Sequence, residues 1–231
     1  MKTIRLFSVM LFIGCTVQFS FGQLTSTMSG GPHDFSAKTW NITVGATGTN
    51  EVCNVCHAPH NTNAVAGTPL WNHGYTAVTT YTMYSGFDLQ GTIGTAPDAT
   101  SKLCLSCHDG TVAVDSYGAG TSAGAGTLFI GDINTNFNVG GGSIDAGGNP
   151  VGGGDLSNDH PISITYPATD LELRAITEAS GIGTGTIESD LLYGVDNKVE
   201  CASCHDVHTN TTDLLRIAND GSALCLTCHI K

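Results

Sequence analysis

Eight of the nine cysteines form four pairs with the same spacing, and a histidine directly follows every pair. The repeated pattern is C-x-x-C-H, in which the two thiols can form thioether bonds with the vinyl groups of a haem. Because positions i, i+3 and i+4 share one face of a helical turn, the imidazole lies on the same side as the thiols and can bind the iron. The pairs are Cys53/Cys56, Cys104/Cys107, Cys201/Cys204 and Cys225/Cys228, and the histidines are His57, His108, His205 and His229.

Two other chemistries use paired cysteines, and the histidines argue against both. Zinc sites built from four cysteines leave the histidine after every pair without a role. Four disulfides in a secreted chain also leave the histidines unexplained, and a C-x-x-C disulfide closes too small a loop to stabilise a fold much. The sequence therefore predicts four covalently attached haem c groups, with the four motif histidines as proximal ligands of iron.

The four sites are of two types that alternate along the chain. The first and third read C-x-x-C-H-x-x-H, whereas the second and fourth read L-C-L-[ST]-C-H. This order indicates an internal duplication of a two-haem unit, with units at about 51–117 and 155–231 joined by a glycine-rich loop. Ser101 and Ser222 precede the second and fourth sites and are candidates to cap a short helix there.

The second axial ligand of each iron decides what the haem can do. An open position permits substrate binding, whereas two strong protein ligands leave electron exchange as the available chemistry. Five histidines outside the motifs are candidate distal ligands. Since four irons need four of them, at least one has another role or binds iron in a neighbouring subunit. The five are His33, His60, His73, His160 and His208.

The positions of these histidines suggest which iron they can reach. His60 and His208 follow a proximal histidine by three residues, so they share its face and cannot reach the far side of the same iron. We expect each to bind a neighbouring haem, which predicts closely packed haem pairs. His33 is expected on a mobile N-terminal arm that can reach the next subunit. Met83 is a competing ligand, but we expect it to pack among aromatic residues.

The N-terminus has the features of a secretory signal. A basic start is followed by the apolar run Leu6–Gly14 and then by small residues, which predicts a signal peptide at 1–22. Residues 23–231 then form a secreted tetrahaem cytochrome c domain, extracellular or at the cell surface, or alternatively periplasmic. In a rival interpretation, Cys15 is a lipoprotein cysteine. No other apolar run is long enough to cross a bilayer.

The composition indicates an unusual core. Charged residues make up 12% of the chain and aromatic residues 7%, and there are 30 glycines, so side-chain burial alone can hardly offset the entropy of ordering. We expect the haems to fill the interior. The predicted fold class is mostly irregular coil with short α-helices and little strand, a multihaem cytochrome c fold around a core of stacked haems. The net charge of −12 argues against nucleic acid as a partner.

Local patterns give four smaller predictions. The glycine-rich stretch 118–154 lacks helical or strand periodicity and is predicted to be a loop. Residues Ile162–Tyr166 are predicted to form a short strand, and Tyr75–Phe87 a hairpin. Asp109 and Asp206 directly follow proximal histidines, and we expect both to be solvated carboxylates.

Several segments resemble the multihaem c-type cytochromes with doubled C-x-x-C-H motifs. They are CNVCHAPH, PLWNH, LCLSCHDGTVAVDS, SNDHPISITY and CASCHDVH, which together extend over nearly the whole mature chain. The chain is similar in particular to small tetrahaem subunits of extracellular cytochrome filaments. The resemblance implies haems with two histidine ligands in a continuous stack. It also implies a homopolymer in which a histidine of one subunit completes a haem of the next.

These observations together predict an electron-transfer protein rather than an enzyme, with no catalytic residue. Its partners are expected to be copies of itself, redox proteins or extracellular electron acceptors. Two alternatives remain open. A monomeric periplasmic shuttle has the same motifs as a filament subunit but is much smaller in solution than a homopolymer. A multihaem reductase needs one haem with an open position beside acid–base residues, and the supply of histidines argues against it.

Overall fold

The structure is a computed structural model that describes residues 28–38, 40, 52–60, 62, 70–86, 88–118, 127–133, 135–144 and 150–230. The predicted signal peptide at 1–22, which includes Cys15, lies outside the described residues. Most of the described backbone is irregular and carries short helices and two-residue strands, which confirms the predicted irregular chain with short helices and little strand. The core of stacked haems stays a prediction.

The regular elements are short throughout the described chain. The α-helices are α1 (Ala99–His108), α2 (Ile130–Ile133), α3 (Ile187–Leu191) and α4 (Cys201–Cys204). The strands are β1 (Ser143–Ile144), β2 (Pro150–Val151), β3 (Ile164–Thr165) and β4 (Lys198–Val199). Single 3₁₀ turns lie at Phe35–Ala37, Thr135–Phe137, Thr212–Leu214, Asp220–Ser222 and Cys225–Thr227. Two of the four α-helices, α1 and α4, carry cysteines of C-x-x-C-H motifs.

The longest helix, α1, does not begin where the sequence suggested. Its N-cap is Asp98, and Ser101 lies inside the helix, fully buried. The prediction that Ser101 caps the helix is therefore wrong, because its hydroxyl is used in a tertiary hydrogen bond to Glu200. Ser222 likewise lies within a 3₁₀ turn rather than at a helix cap.

The small sheet of β3 and β4 positions the third haem motif. The strands are antiparallel, with Ile164 opposite Val199, and β4 leads through one residue into α4. The predicted strand Ile162–Tyr166 is confirmed at its centre. On the other side of α4, the preceding helix α3 is capped by Thr186, whose hydroxyl accepts from the Ser189 N–H at 3.3 Å.

The predicted hairpin at Tyr75–Phe87 is wrong for its described residues. Thr82 instead forms a parallel bridge with Asp155, and its N–H donates to the Gly154 carbonyl at 2.8 Å. The Leu156 N–H in turn donates to the Thr82 carbonyl at 2.8 Å. The apolar pattern was right for a partly buried extended segment, but its hydrogen-bond partner is distant in sequence rather than local.

The glycine-rich stretch 118–154 is not loop throughout, so that prediction is wrong in part. Its described residues include α2, a 3₁₀ turn and the antiparallel pair of β1 and β2. The stretch is held against the end of α1, where the Val139 N–H donates to the His108 carbonyl at 2.6 Å. Gly142 is needed for this approach, since a Cβ there would lie 2.0 Å from the Asp109 carbonyl oxygen.

The apolar core consists of small clusters rather than one interior. Tyr81, Leu105 and Leu156 form one cluster, against which Met83 packs as expected. The other is formed by Tyr166, Ile187 and Leu192, with Cys228 of the fourth motif packed on it. Within the described part of the chain, no helix is both long and apolar enough to cross a membrane.

Candidate functional site

All four C-x-x-C-H motifs have a helical backbone turn. The second motif lies inside α1. In the other three, the histidine N–H donates to the carbonyl of the first cysteine four residues earlier, which is the bond of an α-helical turn. These bonds join His57 to Cys53 at 2.8 Å, His205 to Cys201 at 3.1 Å and His229 to Cys225 at 2.9 Å. Each motif therefore has the local geometry that places two thiols and an imidazole on one face.

Thiols of successive motifs lie close enough to affect one another's pKa. Burial raises the pKa of Cys107, and Cys56 of the first motif raises it further. Burial raises the pKa of Cys228 to about 11, with a smaller contribution from Cys204 of the third motif. The first motif therefore neighbours the second, and the third neighbours the fourth.

The second and third motifs meet where α1 packs against α4. The thiols of Cys104 and Cys201 lie next to each other, and their interaction raises the pKa of Cys104 and lowers that of Cys201. Glu200 lies buried in the same contact and accepts hydrogen bonds from Ser101 and Ser163. The four motifs thus form a continuous series in chain order.

The ring of His208 lies beside the proximal histidine of the first site. The centroids of the His57 and His208 rings are 6.4 Å apart and their planes differ by 16°. Two histidine–metal bonds of about 2 Å on opposite sides of one metal place ring centroids roughly 6 Å apart. We predicted that His208 binds a haem other than that of its own motif. The proximal histidine beside its ring is His57, which belongs to the other two-haem unit.

Asp206 lies beside the His208 ring. Its Oδ1 accepts from the backbone N–H of His208 at 2.9 Å and lies 3.6 Å from the ring Nδ1, which is longer than a hydrogen bond. Its negative charge nevertheless favours a proton on Nδ1, the tautomer that leaves Nε2 free to bind a metal. We had expected Asp206 to be a solvated carboxylate; its side chain is 41% exposed and is also engaged with His208.

A second imidazole pair is formed by His33 and His108, whose ring centroids are 6.1 Å apart with planes at 36°. Burial, with a smaller contribution from nearby His108, lowers the pKa of His33 to about 4. The neutral imidazole is the form that binds metals. The segment around His33 is packed, since the Asn210 Nδ2 donates to the Ser29 carbonyl at 3.3 Å. The predicted N-terminal arm therefore contacts its own chain at this point, and its reach to the next subunit stays a prediction.

Two proximal histidines have their Nδ1 atoms engaged by backbone carbonyls. The His108 Nδ1 donates to the Phe137 carbonyl at 2.8 Å, and the His205 Nδ1 donates to the Asp213 carbonyl at 2.9 Å. Because a carbonyl can only accept, Nδ1 carries the proton and Nε2 keeps the lone pair that binds iron. No local pattern predicts these partners, which are 29 and 8 residues from their histidines.

His73 is fully buried beside the second motif. Its Nδ1 lies 2.8 Å from the Gly74 carbonyl, and its Nε2 lies 3.0 Å from the Ala113 carbonyl and 3.4 Å from the Cys107 Sγ. Burial lowers its pKa, and the hydrogen bonds to the Gly74 and Ala113 carbonyls oppose that shift. His73 is therefore placed next to a thiol that the motif assigns to haem attachment.

His60 and His160 lie at the surface. The Nδ1 of His160 is 3.1 Å from the Pro161 carbonyl, which leaves its Nε2 facing away from that contact. Exposed imidazoles of this kind are accessible to a haem or to a second chain. For these two, as for His33, His73 and His208, the role of distal ligand stays a prediction.

Asp109 is not the solvated carboxylate that we expected. It is fully buried, and its Oδ1 accepts from the Thr111 N–H at 2.8 Å and from the Thr111 hydroxyl at 2.7 Å. The Thr76 hydroxyl donates to its other oxygen. These bonds tie the end of α1, and hence the proximal His108, to two loops. The Asp-x-Thr spacing, which favours such local side-chain bonds, is the signal that could have found it.

The donor set fits covalently bound haem. All eight cysteines of the motifs are free thiols. Beside His57, the Trp71 ring packs edge-on at 6.4 Å, and its buried Nε1 has no acceptor among the described residues. A buried donor without an acceptor costs about 1–3 kcal/mol. A haem bound at the first site brings carboxylates that can accept from it.

Comparison with known families gives one match to this chain. The model of the doubled CXXCH motif matches residues 194–231, which contain the third and fourth motifs. The match supports a multihaem protein similar to c-type cytochromes. Together with the motifs, it indicates covalently attached c-type haem and a role in electron transfer. No curated protein matches the chain.

Proposed function

We propose that this chain is a secreted tetrahaem c-type cytochrome that carries electrons through four closely spaced haems, each with two histidine ligands. Three observations support the proposal. The motif is complete four times, its eight thiols are free, and the family match covers the last two copies. In this proposal the thiols attach the haems and the motif histidines bind iron on one side.

The observation that carries the proposal is the pairing of His57 with His208. The two rings come from different haem motifs, and their 6.4 Å separation and nearly parallel planes suit two ligands of one iron. An iron held in this way has no open position, so a substrate cannot bind to it. The haem then supplies one-electron chemistry, and the chain contributes spacing, ligand orientation and exclusion of other molecules.

The arrangement of the motifs suggests the route that electrons take through the protein. Thiol contacts join each motif to the next in chain order, with Cys104 and Cys201 at the centre, and the His57–His208 contact also joins the first motif to the third. At one end, Cys225 of the fourth motif is exposed, and Ile230 next to that motif is 49% exposed. The fourth haem would therefore lie near the surface, where an electron can enter or leave.

We further propose that the protein is a subunit of an extracellular filament. A surface haem at one end of the series is suited to contact the haem series of a second copy, and a head-to-tail contact of this kind builds an open fibre. A monomeric periplasmic shuttle would use the same surface haem for diffusing partners. The two are distinguished by size, using gel filtration and electron microscopy of the secreted material at near-neutral pH.

The proposed function is tested by the haem content of the mature secreted protein. A pyridine haemochrome assay should give four haems per chain, and the oxidised visible spectrum should be that of low-spin iron. Fewer than four haems would contradict the tetrahaem assignment. A high-spin signal in the wild-type protein would instead favour the reductase alternative, which requires an open haem.

A further inference from the structure

We infer that Glu200 is a positioning residue that holds the second and third haem motifs at a fixed distance and so sets electron exchange between the two halves of the protein. The inference rests on the proposed function, because it concerns how two of the haems are coupled. Glu200 is 1% exposed and lies directly before Cys201 of the third motif.

The carboxylate of Glu200 joins three separate segments of the chain. Its Oε2 accepts from the hydroxyl of Ser101 in α1. The hydroxyl of Ser163, just before β3, donates to both carboxylate oxygens, at 2.8 and 3.0 Å. Glu200 is the one residue between β4 and α4. Its side chain therefore fixes α1, α4 and the sheet of β3 and β4 relative to one another.

Both serine hydroxyls are fully used in this contact. The Cys201 N–H donates to the Ser101 hydroxyl at 3.1 Å, and the Asp98 N–H donates to the Ser163 hydroxyl at 2.9 Å. Each hydroxyl therefore accepts from a backbone N–H and directs its own proton to Glu200. A buried network in which every member is satisfied makes a junction rigid and specifies one arrangement.

The rest of the junction consists of an ion pair across the same two segments. The Lys198 Nζ lies 3.1 Å from the Asp98 Oδ2 and 3.8 Å from the Asp196 Oδ2. Lys198 lies in β4 and Asp98 caps α1, so this pair links the same two segments as Glu200. Its side chains are 18% and 45% exposed, so it contributes less to the junction than the buried carboxylate does.

The position of this network explains why it bears on electron transfer. The Cys201 N–H donates to the Ser101 hydroxyl of α1 at 3.1 Å, so the third motif is bonded directly to the helix that contains Cys104. Cys104 and Cys201 would each hold one vinyl edge of a haem. A shift between α1 and α4 therefore moves the second haem relative to the third. Electron exchange falls steeply with separation, so this junction sets the direct step from the second haem to the third.

The test uses the haem-loaded secreted protein and compares Glu200→Ala with Glu200→Gln. Both variants remove the negative charge, so at alkaline pH both should raise the potentials of the neighbouring haems by the same amount. Gln keeps the length of the side chain and one carbonyl acceptor, and should retain most of the spacing. Two further variants are Ser163→Ala, which removes one donor, and the control Glu178→Ala, whose side chain is 46% exposed in a surface ion pair.

Spacing is read from the two-signed Soret circular dichroism of coupled haems and from the distance between the second and third irons in a high-resolution map. We expect Glu200→Ala and Ser163→Ala to lose Soret amplitude and lengthen that distance. Glu200→Gln should lie near the wild type, and Glu178→Ala should match it. If Glu200→Ala fails to fold, Ser163→Ala decides.

If Glu200→Ala and Ser163→Ala both contain four haems and keep the Soret amplitude and the iron–iron distance of the wild type, this inference alone is overturned. Fewer than four haems in the wild type would contradict the proposed function instead.

Discussion

His208 and His57 lie ring to ring at 6.4 Å with planes 16° apart, although they belong to the third and the first haem motif. This contact connects the two halves of an apparent duplication at the proximal histidine of the first motif. It also explains the x-x-H extension of the third motif. A histidine three residues after a proximal ligand cannot serve its own iron, but it is held by that motif and can serve another.

Replacing His208 with alanine should open one haem. The cysteines that attach the haems are unchanged, so the variant should keep the haem content of the wild type. One haem should become high-spin and bind carbon monoxide when reduced, since it has lost its second ligand. Thr209→Ala, one residue away, is the matched control and should bind none. A low-spin spectrum in His208→Ala would show that His208 is not the ligand.

His33→Ala should have the same effect at the second haem. Because the His33 ring lies 6.1 Å from that of His108 in the same chain, the high-spin signal should persist when the protein is diluted to a monomer. If His33 served a neighbouring subunit, the wild type itself would become partly high-spin on dilution. Optical spectra of both proteins over a dilution series measure the difference.

Asp206→Asn should raise the midpoint potential of one haem. A carboxylate near Nδ1 makes His208 a more basic ligand and favours oxidised iron, and the amide removes that effect. The shift should correspond to about 1 kcal/mol or less, because the pair is partly exposed. Asp213→Asn is the control, since Asp213 contacts His205 through its backbone carbonyl, which the substitution keeps. Spectroscopic redox titration is the measurement, and a lowered potential would contradict the assignment.

The small apolar clusters can be tested by stability. Leu105 of α1 is 2% exposed and packs with Tyr81 and Leu156, so Leu105→Ala should lower the free energy of unfolding by about 2–5 kcal/mol. Leu171 is 92% exposed, and Leu171→Ala should change the free energy of unfolding by less than about 0.5 kcal/mol. Denaturant unfolding of the haem-loaded variants gives both values. Equal stability of the two would show that these clusters do not support the fold.

The parts of the structure that follow from local sequence were predictable. The C-x-x-C-H spacing by itself defines a helical turn, and His57 and His229 have the expected backbone bonds. The scarcity of charged and aromatic residues was a reliable sign of an irregular chain. The strand at Ile164–Thr165 was found because β-branched residues alternate there.

The parts that depend on distant contacts were not predictable. Ser101 looked like a helix cap, but its hydroxyl is committed to Glu200, which is 99 residues away. The segment around Thr82 had the apolar pattern of a hairpin, but its bonds go to residues 154–156. Asp109 is buried because two loops fold over the end of α1, and no pattern around a single residue reports that.

The most direct test of the central claim is a carbon monoxide titration of the reduced wild-type protein after its haems have been counted. If every iron has two histidine ligands, as the His57–His208 contact suggests, four haems should be present and the reduced spectrum should not change on addition of the gas. Stoichiometric binding of carbon monoxide to the intact protein would contradict this account, because it requires a haem with an open position.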